Sequence, residues 1–148
     1  VYKRQAYNRM QLITIASKGN TSDFGDLAMG GARGGAGGNS VRGVFAGGIV
    51  DSQINKLIEF VTIASTGNAT VFGELTIARR NSPECNDNAT RAVFCAGLAD
   101  DGTAPAATNY MDFITIASAG DAQDFGDLLG KSKAHGAISD SHGGLGGF

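Results

Sequence analysis

FVTIASTGNATVFGEL, residues 60–75, is written three times in this chain of 148 residues: LITIASKGNTSDFGDL precedes it at 12–27 and FITIASAGDAQDFGDL follows at 113–128. Each repeat opens on ITIAS or VTIAS, at 13–17, 61–65 and 114–118, and carries DFGDL, VFGEL or DFGDL at 23–27, 71–75 and 124–128. A third shared segment reads RGVFAGG at 42–48, RAVFCAG at 91–97 and, degenerately, HGGLGGF at 142–148. The pentapeptides start 48 and then 53 residues apart and the repeats fill the chain, so this self-similarity decides the fold before local propensity does. The expected organisation is a single repeat domain over 1–148, with repeats at about 8–54, 55–107 and 108–148.

Within one repeat the signals are for strands. MQLITIAS (10–17), with Leu12, Ile13 and Ile15, reads as a mostly buried strand. The triplets KGN (18–20), TGN (66–68) and AGD (119–121) put Asn or Asp after Gly and read as hairpin turns, which also accounts for the Asn of the sequons at Asn20 and Asn68. Phe24, Phe72 and Phe125, with Leu27, Leu75 and Leu128, fall on the returning strand around a Gly that marks a bulge or a close backbone approach. Val44-Phe45 and Val93-Phe94 form a third strand, and 28–40 and 76–90 supply a fourth with a loop. The sum is an all-β chain of three repeats of about 50 residues, four short antiparallel strands in each. Such small sheets bury their apolar faces only against one another.

The order of parts resembles a kelch repeat: an arginine-containing segment (Arg33, Arg79), a strand ending on Gly47-Gly48, a variable loop, then a β-rich strand and turn leading to an aromatic. The chain has no Trp, Phe holds the last aromatic place, and the second repeat has Ala96-Gly97 for the glycine pair. The run from TIAS to FGDL also resembles the TIASTGNATDFGDLT repeat of structural and appendage proteins of marine bacteriophages. These resemblances imply kelch-like β-propeller blades in a virion or extracellular component, an appendage, fibre or decoration protein with an adhesive role and no known reaction. Three blades cannot close a ring, since propellers typically take 4–8. The chain is expected to begin at the third strand of one blade and stop at the second of another, so head-to-tail contact with another subunit would complete the blades. The alternative is a β-trefoil or β-prism closed within one chain, which would make the protein a small three-fold carbohydrate-binding lectin.

Composition narrows the function classes. A formal charge of −2 with 18% charged residues leaves no electrostatic footprint for nucleic acid or anionic membrane, and no apolar run is long enough to insert in a bilayer. No cofactor or metal is expected. Asp23, Asp26, Glu74, Asp124 and Asp127 recur with the repeat and are expected to accept hydrogen bonds from turn amides, since one acid per blade edge spreads ligands that calcium needs convergent. Two histidines and two cysteines do not supply a zinc site.

Catalysis is not expected either. SDSH (139–142) reads as a polar loop, and GKS (130–132) has Phe125 where a phosphate-binding loop needs Gly. GGARGGAGG (30–38) reads as a flexible loop. Cys85 and Cys95 either bridge across a hairpin turning near Asn86–Ala89 or remain buried thiols. Recognition is expected on the two loops that differ most between repeats, IVDSQIN (49–55) and LADDGTAPAATN (98–109). The candidate binding residues are Asp51, Ser52, Gln53, Asp100, Asp101, Thr103 and Asn109. The expected partners are further copies of the chain, other virion proteins or a host-surface glycan, and the expected location is the virion or extracellular space.

Overall fold

The computed structural model describes residues 7–29, 34–81, 84–100, 104–133 and 136–139, and among these every regular element is a strand. The short β-branched and aromatic runs become β1 (Arg9–Leu12), β2 (Ser22–Asp26), β3 (Gly35–Gly38), β4 (Arg42–Val50), β5 (Gln53–Thr62) and β6 (Thr70–Glu74). They are followed by β7 (Arg79–Arg80), β8 (Glu84–Asp87), β9 (Arg91–Cys95), β10 (Leu98–Asp100), β11 (Pro105–Thr115) and β12 (Gln123–Ser132).

All strand pairing between these elements is antiparallel. β3-β4-β5-β6 is a four-stranded meander, β8-β9-β11-β12 repeats it, and β1-β2 is a hairpin. In the second meander β10 continues the line of β9 along the start of β11, and β7 pairs with β10. Sheet and sequence repeat are therefore out of phase. Instead of four strands within each repeat, a meander joins the second half of one repeat to the first half of the next.

Three local features recur. A turn closes inside the shared pentapeptide, where the Ser17, Ser65 and Ser118 amides donate to the Thr14, Thr62 and Thr115 carbonyls at 3.2, 3.2 and 3.0 Å. The strand expected over 10–17 accordingly ends at Leu12. Each returning strand carries a β-bulge: Met10 faces Gly25 but Gln11 faces Asp23, Ile58 faces Gly73 but Glu59 faces Val71, and Met111 faces Gly126 but Asp112 faces Asp124. The extra residue is Phe24, Phe72 or Phe125, so the glycine does mark a bulge. Two meanders also share an aromatic stack. The Arg42 guanidinium lies 4.6 Å over the Phe60 ring, which meets Phe72 edge-on at 5.9 Å, and Arg91 lies 5.1 Å over Phe113, which meets Phe125 at 5.9 Å.

The core lies between sheets. Phe24, Val61 and Ala69, with Met10, Leu27 and Phe45, join the β1-β2 hairpin to the first meander. Val44, Ile58, Phe72 and Leu75 of the first meander join Phe94, Ile114 and Ile116 of the second. Burial is unequal among the repeats. Val61 is 8% and Ile114 3% exposed, but their counterpart Ile13 is 58% exposed, and Ile15 is 94% exposed. The first strand is thus open rather than mostly buried, because β1 pairs only with β2 while β5 and β11 each lie between two strands. A closed three-fold arrangement would bury the three repeats alike.

Candidate functional site

The most repeated residues meet at the junctions between repeats. At the first, the Gly67 amide donates to the Phe24 carbonyl (2.7 Å) and the Ala69 amide to the Asp26 carbonyl (2.8 Å). The Asp26 amide donates in turn to Asn68 Oδ1 at 3.0 Å. The second junction copies this: Gly120 to Phe72 (2.8 Å), Ala122 to Glu74 (2.8 Å), and the Glu74 amide to Asp121 Oδ1 at 3.0 Å. A Cβ on Gly25 or Gly73 would overlap the carbonyl oxygen of Gly67 or Gly120, so glycine there also permits the close approach.

The Gly67-Asn68 and Gly120-Asp121 pairs, expected as hairpin turns, are therefore clasps. The turn is made earlier, in TIAS, which leaves the pair able to reach the preceding repeat. At the clasp Asp26 and Glu74 bond through their backbones rather than accepting turn amides on their side chains, and the Glu74 carboxylate pairs with Lys56 Nζ. Among the recurring acids, Asp124 does accept a nearby amide, that of Gly126, at 3.0 Å.

A second link accompanies each clasp. Glu59 Oε1 accepts the Ala28 amide (2.6 Å) and the Met29 amide (3.3 Å) from the preceding repeat. At the next junction Asp112 accepts the Thr76 amide (3.2 Å) and the Thr76 hydroxyl (2.7 Å). Asp112 also pairs with Arg79 Nη2 at 2.6 Å, and both side chains are buried. Arg42 Nη1 adds a bond to the Ile116 carbonyl at 2.7 Å.

Burial pushes the Glu59 carboxyl up from its ordinary range, with the two amides pulling it partly back. A raised carboxyl makes the folded chain bind its proton more tightly than the unfolded chain, so stability falls as pH rises through the two values. Glu59→Gln keeps an acceptor for both amides and carries no charge to desolvate; Gln11 already holds the corresponding place in the first repeat. The variant is expected to be more stable than the parent at about pH 7, with the difference narrowing toward about pH 3, as read by urea denaturation at both.

Of the sequence-predicted binding residues, Asp51, Ser52 and Gln53 fall at a hairpin tip. Asp51 and Ser52, with φ of 47° and 70°, are a two-residue turn between β4 and β5, and Gln53 opens β5 opposite Val50. What was expected as a long loop is a tight turn because the two strands stay paired up to Val50 and Gln53. Asp100 ends β10 opposite Pro105, and half-buried Asn109 lies within β11 rather than in a loop. Asp101 and Thr103 lie outside the described residues. Since β9 and β10 together take the place of β4, the Asp100–Pro105 pair corresponds to the Val50–Gln53 pair of the first meander.

The remaining candidates are dispersed. Lys131 and Ser132 end β12, and Gly35–Gly38 is strand β3 rather than loop. His135 and His142, Arg33 and most of SDSH lie outside the described residues. Among the described residues no group of three or more His, Cys, Asp or Glu side chains could hold a metal ion, and no helix is long and apolar enough to cross a membrane. Cys85 and Cys95 are buried and unbridged. Cys85 faces Phe94 across the ladder, so Cys95 points to the other side of the sheet and the two thiols do not face one another. Burial pushes the Cys95 thiol up, away from reactive thiolate.

Two hollows flank the junctions, one of about 150 Å³ beside Leu27, Phe45 and Glu59, the other of about 210 Å³ beside Phe72, Phe113 and Asp121. Both are below the roughly 300–1,000 Å³ of ordinary small-molecule sites. No protein-family model matches the chain, and no curated protein matches it either.

Proposed function

We propose that the chain is a non-enzymatic structural and adhesion module of a phage virion, an extracellular appendage, fibre or decoration protein whose meanders are kelch-like propeller-type blades. The observation that carries this reading is the use made of the shared residues. Phe-Gly-Asp/Glu and Gly-Asn/Asp form the clasp at both described junctions, so the part of the sequence common to the repeats holds one repeat against the next. In an enzyme the singled-out polar side chains converge on a reacting atom. Here they bond backbone, and Asp51-Ser52, in a segment that varies between repeats, is an exposed turn on the strand frame, where recognition of a host-surface glycan or another virion protein is expected.

The test alters the tips alone. Asp51-Ser52 is replaced by Asn-Gly, which keeps both positive φ angles, and the tip between Asp100 and Pro105 is replaced by the same turn. Labelled chain is then measured on bacterial cells and on arrayed glycans. Both variants should keep the parent's urea midpoint while attachment falls at least tenfold. Undiminished attachment in both would show that recognition lies elsewhere.

A further inference from the structure

We propose that two copies of this chain join head to tail through an intermolecular clasp, in which Gly19-Asn20-Thr21 of one chain docks on Phe125-Gly126-Asp127 of the other. The inference deepens the structural reading above, adding a second copy of the chain as a partner, and rests on it; attachment through the variable segments is a separate property with its own test.

Each of the two described junctions needs a donor half and a receiving half, and among the described residues one further half of each kind stands uncovered. Gly19-Asn20-Thr21 corresponds to Gly67-Asn68-Ala69 and Gly120-Asp121-Ala122, yet Thr21 is exposed where Ala69 and Ala122 are each buried against the preceding repeat. Ile13, in the place of Val61 and Ile114, is exposed beside it.

The receiving half is already shaped. Phe125 is the extra residue of its bulge like Phe24 and Phe72, and Gly126 has φ 130°, close to the 147° of Gly25. Phe24 is 9% and Phe72 4% exposed beneath the following repeat, whereas Phe125 is 50% exposed. A Cβ on Gly126 would touch only Met111 Cε, at 3.9 Å, so the space filled by the Gly67 and Gly120 carbonyls at the other junctions is open here.

The flanking links are duplicated as well. Arg91 is exposed and lies over Phe113 as Arg42 lies over Phe60, so its counterpart acceptor is the Ile15 carbonyl of the second chain, as Ile116 is for Arg42. Gln11 holds the place of Glu59 and Asp112, and its amide oxygen can accept the Leu129 amide as they accept those of Ala28 and Thr76. An edge strand with outward backbone groups and an uncovered aromatic is a template for pairing, and a net charge of −2 raises little repulsion between copies. Because the two surfaces differ, the contact is heterologous: it builds a ring if the rotation per chain closes and an open array if it does not.

Native mass measured over a range of concentrations tests this, with the 148-residue chain and variants of either half. Ile13→Lys with Asn20→Ala disables the donor half at exposed positions. Asp127→Pro removes the amide that Asn20 would accept, and Phe125→Ala is a second receiving-half variant should the proline disturb folding, which circular dichroism reports. The parent should gain mass with concentration, each variant alone should associate at least tenfold more weakly, and an equimolar mixture of donor-half and receiving-half variants should form a heterodimer that grows no further. A parent that stays monomeric to about 100 µM, variants that associate like the parent, or a mixture that forms no heterodimer would each overturn the proposal. Loss of tip attachment with self-association intact would instead strike only the adhesive reading.

Discussion

Asp112→Ala is expected to lower stability by about 3–5 kcal/mol, read as a fall in the urea midpoint at unchanged slope. Arg79 and Asp112 are 0% and 1% exposed and 2.6 Å apart. The other terminal nitrogen of Arg79 donates to the Tyr110 carbonyl at 2.8 Å, while its Nε has no hydrogen-bond partner among the described residues. Burial works against the guanidinium charge and Asp112 works for it. Removing the carboxylate leaves a cation that arginine does not shed by deprotonation, in surroundings that solvate it poorly. It also strips the acceptor from the Thr76 amide and hydroxyl. Replacing both partners, as Arg79→Met with Asp112→Leu, should cost much less than the single change, because no charge is then left buried alone. A loss below about 1 kcal/mol for Asp112→Ala would mean that Arg79 reaches solvent and that β7 is not held against the meanders as described.

The all-β class was legible because the strand-forming runs are short, β-branched and punctuated by glycine. The bulge was legible too, since a glycine beside an aromatic within a strand has few other uses. The phase of the sheets was legible in part, since a start at a third strand agrees with β1 as the counterpart of β5, but the tight joint between β4 and β5 was not. It depends on Asp51 and Ser52 making a two-residue turn between β4 and β5, and Asp-Ser is not a pair whose composition announces positive φ at both positions. The clasp was hidden for a different reason. Asn68 bonds an amide 42 residues away, and Gly-Asn in isolation has the composition of a turn. The usable signal was that Asn68 gives way to Asp121 in the third repeat: the two share an Oδ1 acceptor, which is what the clasp uses. The sequence offers Arg79 only as the arginine of the kelch-like pattern, and its burial is made tolerable by the Asp112 carboxylate and the Tyr110 carbonyl of a strand remote in sequence. Burial of the first strand could not be read at all. Ile13 and Ile114 sit in the same pentapeptide, and what separates 58% from 3% exposure is the set of neighbouring strands.

Phe72→Ala and Phe125→Ala should differ although the two residues occupy one position of the repeat. Phe72 is 4% exposed, packs edge-on against Phe60 and lies beneath the Gly120 loop, so truncation should cost about 3–5 kcal/mol, the range for an aromatic removed from a core that only partly collapses. Phe125 keeps its contact with Phe113 but is 50% exposed. Its truncation should cost about 1–2 kcal/mol, in keeping with the smaller apolar area it withdraws from water. Urea denaturation at low concentration, where intermolecular contacts are absent, gives the comparison directly. Equal losses there would mean that Phe125 is covered within the monomer and that the third repeat offers no open face. If the costs differ as expected, repeating the measurement at high concentration separates folding from assembly: Phe72→Ala should lose the same amount, whereas the deficit of Phe125→Ala should grow. A residue that docks a neighbouring repeat contributes to stability only when that neighbour is present, and for Phe125 the neighbour is a second chain.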